Sequence, residues 1–223
     1  MGYLEELKRQ ADAALAQQNQ DIGALERNAL LTDSACQSAA RYFGTLARQL
    51  NVLRPECRAV WRFDNKNVFR QLRFSDFRSD SRLKKLRDAE VFDHVVLNFT
   101  AKAGTRVVIA KDFPPEIERL EARLRQCGVF FESEIVRDPD NGKFLEKRFE
   151  FDADFQSSVR MVPDHDDGRI AFHVANLDGF ETVSVVFPAF EVGSARLDDL
   201  ARWINGEPSG FLRDGLHLRR VAV

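Results

Sequence analysis

The sequence predicts an α+β protein: a largely antiparallel sheet of hairpins with two packed helices, preceded by an N-terminal helical hairpin. Alternating apolar residues joined by short turns indicate the strands, and apolar residues at three- and four-residue spacing indicate helices near 114–127 and 194–205. The first fifty residues show helical spacing throughout. We therefore divide the chain into an N-terminal helical region, residues 1–52, and an α+β domain, residues 53–223.

Two helices are predicted within residues 3–50, with a weak point at 17–23 and a cap for the second helix at Thr32 or Asp33. The apolar stripe of the first helix is Leu4, Leu7, Ala11, Leu15, Ile22, Leu25 and Ala29. That of the second is Cys36, Ala39, Ala40, Phe43, Leu46, Ala47 and Leu50. Alanine allows close helix approach, so we predict self-association through these helices, at least as a dimer. The alternative is that both helices only cover the sheet.

The α+β domain begins with hairpin-like segments. They are predicted as a strand at 59–63, a turn at 64–67, a strand at 68–77 and a short helix that contains Leu83 and Leu86. Later in the chain, a strand near 129–136 ends at the turn residues 138–142. The following segment, 145–155, alternates most regularly of all, so it predicts a strand with one buried face.

Residues 92–128 predict a strand, a turn at 102–104, a second strand at 107–109 and a helix that ends at Gly128. The same order returns at 169–206, where the turn is Asp178-Gly179 and the helix is capped by Ser194. This echo indicates either a weak internal duplication or two independent units, each a hairpin followed by a helix. The small number of shared side chains favours two independent units.

The cysteine content and the lack of targeting patterns indicate the cellular compartment of the protein. Three widely spaced cysteines without a C-x-x-C pair are typical of reduced thiols rather than a disulfide framework. The sequence has no signal-peptide pattern and no apolar stretch of membrane-spanning length. We therefore expect a cytoplasmic protein without membrane contact. The formal net charge of −2 provides no overall attraction to nucleic acid.

One segment of the chain is strongly basic, although the chain as a whole is nearly neutral. Residues 54–87 hold eleven Lys/Arg and four Asp/Glu, a net charge of +7. Aromatic residues lie among the charges, and cations with aromatics are the ingredients of nucleic-acid binding. The candidate contact residues are Arg58, Arg62, Arg70, Arg73, Arg78, Lys84 and Lys85, and the candidate stacking residues are Trp61, Phe69, Phe74 and Phe77. Two alternatives are a solvated face over a phenylalanine core, and charge pairing with the acidic segment 132–168 on an adjacent strand.

The acidic loop 164–167, with His173 nearby, offers oxygen and imidazole groups for a metal ion. Its consecutive side chains point apart, which favours a solvated turn, and no metal ligand is predicted.

Catalytic and nucleotide-binding motifs such as G-x-S-x-G and G-x-G-x-x-G do not occur, and no catalytic residue or cofactor is predicted.

Taken together, these patterns favour a cytoplasmic non-enzymatic binding or scaffold protein. Its sheet would present a surface for a protein or a small ligand. The first alternative is a nucleic-acid-associated protein that uses residues 54–87. The third interpretation is a metal-dependent hydrolase that uses the acidic loop at 164–167.

Overall fold

A computed structural model describes residues 3–64 and 66–222, and it confirms the predicted α+β class. A long helix precedes a large antiparallel sheet, onto which two shorter helices pack. The helices are α1 (Tyr3–Leu53), α2 (Pro114–Gln126) and α3 (Ser194–Ile204), with a 3₁₀ turn at Ala189–Glu191. The strands are β1 (Trp61–Arg62), β2 (Val68–Phe69), β3 (Arg73–Leu86), β4 (Ala89–Lys111), β5 (Phe131–Arg137), β6 (Phe144–Asp164), β7 (Arg169–Ala175), β8 (Glu181–Pro188) and β9 (Leu216–Ala222).

The large sheet is antiparallel throughout, as the short connections predict. In the described chain it has seven strands in the order β3-β4-β6-β7-β8-β9, with β5 beside β6. Strands β5 and β7 lie end to end along the same side of β6, which is long enough to pair with both. Strands β1 and β2 form a separate small hairpin, in which Trp61 lies opposite Phe69.

One face of the sheet is covered and forms the core. Alternate residues of the long strands point into it, including Val95 and Phe99 of β4 and Phe155 of β6, all of which are buried. Residues 32–50 of α1, both shorter helices and the β1–β2 hairpin bury apolar side chains in the same cluster. The intervening residues of each strand form the other face, which we call the outer face. Most of its side chains are exposed or half-buried, so it is the open side of the sheet.

The N-terminal region is a single helix of 51 residues, which replaces the expected helical hairpin. Gly23 lies inside the helix, because one glycine costs only about 1 kcal/mol and no proline interrupts the segment. Thr32 does not cap a second helix; its hydroxyl bonds the Asn28 and Ala29 carbonyls of the preceding turn. Asp33 instead accepts a hydrogen bond from the Phe92 N–H of the sheet at 3.1 Å.

Two further predictions are wrong, and both concern long strands. Residues 102–104 are not a hairpin turn but a bulge in β4, where three residues face a single residue of β6. Gly104 supplies the positive φ of 66° that this bulge requires, as it would in a turn. Leu83 and Leu86 belong to β3 rather than to a helix. The hairpin of residues 92–111 therefore does not exist, so the preferred interpretation of two independent units, each a hairpin followed by a helix, is wrong for the first unit, and the alternative of a duplication loses its basis.

Elements defined by local chemistry form as predicted. The loop 138–142 joins β5 to β6, with Gly142 at φ 70° and the Asp138 N–H donating to Lys143 O at 2.8 Å. Helix α2 starts at Pro114 and ends at Gln126; Gly128 follows with a φ of 65°, and its N–H donates to Arg125 O at 3.1 Å. No helix in the described chain combines the length and the apolar character needed to cross a membrane.

Candidate functional site: a cationic cleft on the open sheet face

A cleft of about 690 Å³ opens where the outer face meets the edge strand β3. We call it the cationic cleft. Its walls are the end of α1, the β2–β3 connection, the first half of β3 and the bulge of β4. The lining residues are Asn51, Arg54, Gln71, Arg73, Ser75, Asp76, Phe77, Arg78, Lys102, Ala103 and Gly104.

Four cations surround this cleft: Arg54, Arg73, Arg78 and Lys102. The ammonium of Lys102 lies 2.7 Å from Asp76 Oδ2, so this pair is satisfied within the protein. The three guanidinium groups make no ion pair or side-chain hydrogen bond with any other residue that the structure describes. Each guanidinium has five N–H donors in a fixed planar arrangement. The cleft therefore presents unused guanidinium donors and a net positive charge, although Asp76 attracts Arg78 as well as Lys102.

The Lys102–Asp76 pair stays ionised. The hydrogen bond from Lys102, followed by its charge, lowers the pKa of the Asp76 carboxyl. The same hydrogen bond raises the pKa of the Lys102 ammonium, although the nearby charge of Arg54 acts in the opposite direction. Asp154 lies directly opposite Lys102 on β6; burial raises its pKa, and Lys102 opposes that effect. Asp76 thus fixes the position of Lys102 without removing the positive charge of the cleft.

The backbone around the cleft is unusual. Arg54, Gln71 and Asp76 are non-glycine residues with positive φ, at 46°, 57° and 58°, and Gly104 is at 66°. Each such non-glycine residue costs about 1 kcal/mol or more, and residues of this kind cluster at ligand-binding sites. Arg54 also has a local reason, because its N–H closes the last turn of α1 on Leu50 O at 2.8 Å. Gln71 and Asp76 have no comparable helix-capping role, and they shape the wall that carries Arg73 and Arg78.

Asn51 attaches the end of α1 to this wall. Its side chain accepts from the Phe77 N–H at 2.8 Å and donates to Phe77 O at 2.9 Å. These two bonds satisfy backbone groups that an edge strand would otherwise expose. They also hold Arg54, three residues further along the chain, at the mouth of the cleft.

Two further arginines lie on the outer face, and the first of them is six residues along β6 from the residue opposite Lys102. In one row of paired residues, Arg160 of β6, His173 of β7, Ser184 of β8 and Arg219 of β9 are direct cross-strand neighbours. His173 Nδ1 lies 2.9 Å from Ser184 Oγ, and Arg160 Nη2 lies 3.2 Å from His94 Nδ1 on β4. We call these residues the cross-strand row. It adds two arginines to the outer face beyond the cleft, at a level where β3 carries Asp80 and β4 carries Val96.

The structure separates the seven predicted contact residues. Arg73 and Arg78 line the cleft, whereas Arg58 and Arg62 lie beside or on the β1–β2 hairpin, on the covered side of the sheet. Arg70 directly precedes Gln71, which lines the cleft. Lys84 and Lys85 lie near the β3–β4 turn, 3.7 Å from Asp93 and 3.4 Å from Asp88.

Of the two interpretations of the aromatic residues, base stacking and a phenylalanine core, the structure supports the core. They pack in the core because their strands turn these side chains toward the covered face. Their exposed fractions are 0% for Trp61, 9% for Phe69, 1% for Phe74 and 3% for Phe77.

The basic and acidic segments do not neutralise each other across adjacent strands. Strand β4 lies between β3 and β6, so their side chains are not direct neighbours. Among the described ion pairs, the one that joins residues 54–87 to residues 132–168 is Arg87–Asp166 at 2.5 Å. The positive charge of the first half of β3 is therefore left for solvent or for a ligand.

The acidic loop serves the contact between α1 and the sheet. Both ring nitrogens of the buried His165 are engaged, Nδ1 with Thr32 Oγ1 at 2.7 Å and Nε2 with Phe92 O at 2.8 Å. Asp164 Oδ1 accepts from the N–H groups of Asp166 and Asp167 within the turn. In the parts of the chain that the structure describes, no three His, Cys, Asp or Glu side chains converge as metal ligands.

A second cleft, of about 490 Å³, lies between α2 and the β1–β2 hairpin. Of its three cations, Lys111 and Arg123 are engaged internally, whereas Arg119 is not engaged by any residue that the structure describes. Lys111 lies 3.1 Å from Glu116 and 3.7 Å from Asp64, and Arg123 donates to the Phe63 carbonyl. The cationic cleft is the better anion site, because its guanidinium groups have no such partners.

Comparison with known proteins gives no functional guide. No family model matches the chain, and the searches found no similar curated protein and no similar solved structure. The function is therefore argued from the geometry of the cleft.

The three cysteines are free, buried and poorly suited to nucleophilic chemistry. Burial, aided by Asp33, raises the pKa of Cys36 to about 12, and burial raises that of Cys127 to about 11. Burial also raises the pKa of Cys57, against an opposing hydrogen bond from the Trp61 indole N–H at 3.2 Å. The reactive species is the thiolate, so these thiols are expected to react slowly in the folded protein.

Thiol labelling checks this expectation. At pH 8, Cys36 and Cys127 should be alkylated at least ~100-fold more slowly in the native protein than in urea, since each pKa unit is a tenfold change in thiolate. Digestion and mass spectrometry assign the label to each cysteine, and the urea-unfolded protein is the control. Rapid native labelling at Cys36 would show that its thiol is accessible to solvent in the folded protein.

Proposed function

We propose that the chain is a cytoplasmic non-enzymatic binding protein that holds a small ligand with two or more phosphate groups in the cationic cleft. The observation that carries this proposal is the set of three unpaired guanidinium groups, those of Arg54, Arg73 and Arg78, around one cleft of about 690 Å³. Small-ligand sites in proteins typically occupy roughly 300–1,000 Å³, so the cleft is of suitable size. The cytoplasmic location is part of the proposal because all three cysteines are free.

Phosphate is the anion that this donor set suits best. Guanidinium groups bind phosphate through paired, charge-assisted hydrogen bonds, and an ammonium adds a point charge. A ligand with several phosphates can engage more than one guanidinium at once, which a single carboxylate cannot. The carboxylate of Asp76 repels an anion that approaches Lys102 from the side where the two side chains are paired. Phosphate groups are therefore expected to bind nearer to the three arginines.

Nucleic acid is the second candidate, and the cross-strand row favours it. Arg160 and Arg219 are two separate cations on the outer face beyond the cleft, where a polyanion longer than a mononucleotide would contact them. Because the candidate stacking residues are buried, such binding would rely on phosphate contacts and would weaken steeply with added salt.

Isothermal titration calorimetry at low ionic strength tests the two candidates together. The probes are inorganic pyrophosphate, a nucleoside triphosphate and a single-stranded 20-mer, each titrated into the full chain. We expect pyrophosphate and the triphosphate to bind with one site per chain and to compete with each other. Binding of the 20-mer that saturating pyrophosphate does not displace would favour nucleic acid over the small ligand. The absence of heat with all three probes would refute both candidates.

A further inference from the structure

The N-terminal half of α1 extends away from the folded body. We call residues 3–27 the helical arm; at 1.5 Å per residue it is about 38 Å long. The body begins at Asn28, whose side-chain amide donates to Asp166 O at 2.6 Å, and at Thr32, which is fully buried. Large apolar side chains of the arm remain in solvent, with exposed fractions of 41% for Leu7, 57% for Leu15 and 47% for Ile22.

The arm and the buried half of α1 share one continuous apolar stripe. Its members follow each other at intervals of seven residues: Leu15, Ile22, Ala29, Cys36, Phe43 and Leu50. The last three are buried against the protein's own sheet, with exposed fractions of 0%, 0% and 3%. A seven-residue apolar repeat is the pattern by which helices pair along a seam. The face that binds the sheet thus continues beyond the sheet as an unoccupied seam.

A solitary helix of this length is marginal in water, since most helical stability in proteins comes from packing of the apolar face. We infer that two copies of the chain pair through their helical arms, side by side and antiparallel. A second copy carries the same stripe, and a two-fold axis makes one seam satisfy the other. The partner is therefore another molecule of this chain.

The orientation follows from what covers the rest of the helix. In a parallel pair the seams would face each other along their whole length, including Cys36, Phe43 and Leu50. Those residues already pack against the sheet, so two sheets would have to occupy the same space. In an antiparallel pair only the arms overlap. The arm of each copy then packs along the arm of the other copy. The two folded bodies lie at opposite ends of the paired helices.

The sequence of the arm fits an antiparallel register. If Ala11 lies opposite the partner's Ile22, the two-fold axis repeats this pairing, so a small side chain meets a large one twice along the seam. The same register brings Arg9, which lies 2.8 Å from Glu6 of its own helix, near the partner's Glu26. A parallel pair would instead place Asp21 beside the partner's Glu26, and like charges across a seam are unfavourable.

Light scattering of the full chain tests the association. We expect twice the chain mass of 25.5 kDa at micromolar concentration. The double variant Leu15→Glu, Ile22→Glu should be monomeric and should lose helical circular dichroism from the arm, while the thermal unfolding of the body is retained. Ala13→Glu is the matched control, because it adds a charge to an exposed residue outside the stripe and should remain dimeric.

Cysteine cross-linking tests the orientation. Chains carrying Ala11→Cys are mixed with chains carrying Ile22→Cys, and the unsubstituted protein controls for the three native thiols. We expect disulfides between the two different chains. Cross-links between identical positions would refute the antiparallel arrangement. A mass of 25.5 kDa at about 100 μM, unaffected by the seam substitutions, would refute pairing itself.

Discussion

Replacement of Phe155 by alanine is expected to lower the free energy of unfolding by about 3–5 kcal/mol, the usual range for a buried phenylalanine. Phe155 is fully buried in the middle of β6. Its ring centroid lies 4.8 Å from that of Phe180, 5.1 Å from that of Phe69 and 5.6 Å from that of Trp61. The side chain thus joins the β1–β2 hairpin to the sheet, and its removal leaves a cavity between them.

Urea denaturation followed by circular dichroism measures this effect. Phe130→Ala is the matched control, since Phe130 is 87% exposed and its loss should change stability by less than about 0.5 kcal/mol. Equal losses in the two variants would mean that the aromatic cluster does not hold the hairpin on the sheet.

The double charge reversal Arg73→Glu, Arg78→Glu is expected to weaken pyrophosphate binding by at least ~100-fold. Each charge-assisted hydrogen bond contributes roughly 1.5–3 kcal/mol. Loss of two such contacts amounts to about two to four factors of ten in affinity. The new carboxylates also repel the ligand. Both arginines are exposed and outside the core, so the fold should be unaffected.

The matched control is Arg58→Glu, Arg62→Glu, which makes the same change in net charge directly before and on the β1–β2 hairpin. Because that hairpin covers the opposite face of the sheet, binding should change by no more than about twofold at moderate salt. Titration calorimetry compares the two variants with the parent chain. If both reversals weakened binding equally, the attraction would come from overall charge rather than from the cleft.

Much of the fold follows from local sequence chemistry. The loop 138–142 forms because Asp, Pro, Asn and Gly each favour a turn, and α2 forms between Pro114 and Gly128 for equally local reasons. Gly104 shows where this reasoning fails, because a positive φ serves a bulge as well as a hairpin. The pairing partner decides between them: β6 runs beside both halves of β4 and keeps the strand straight.

The candidate site was only partly predictable. Arg73 and Arg78 were identified because they lie in a basic segment of the sequence. Lys102 and Arg160 were missed, because only the register of β3, β4 and β6 brings them to the same face. An uninterrupted reading of β4 would have placed Lys102 on the open face by its period of two, so the signal was present but hidden by Gly104.

Hydrogen–deuterium exchange of the full chain, with and without saturating pyrophosphate, tests the binding site most directly. Bound phosphates should slow amide exchange in the segments that line the cationic cleft, residues 71–78 and 102–105. Exchange around Lys111 and Arg119, in the second cleft, should not change. Protection confined to that second cleft, or absent from residues 71–78 at saturation, would contradict the proposed site.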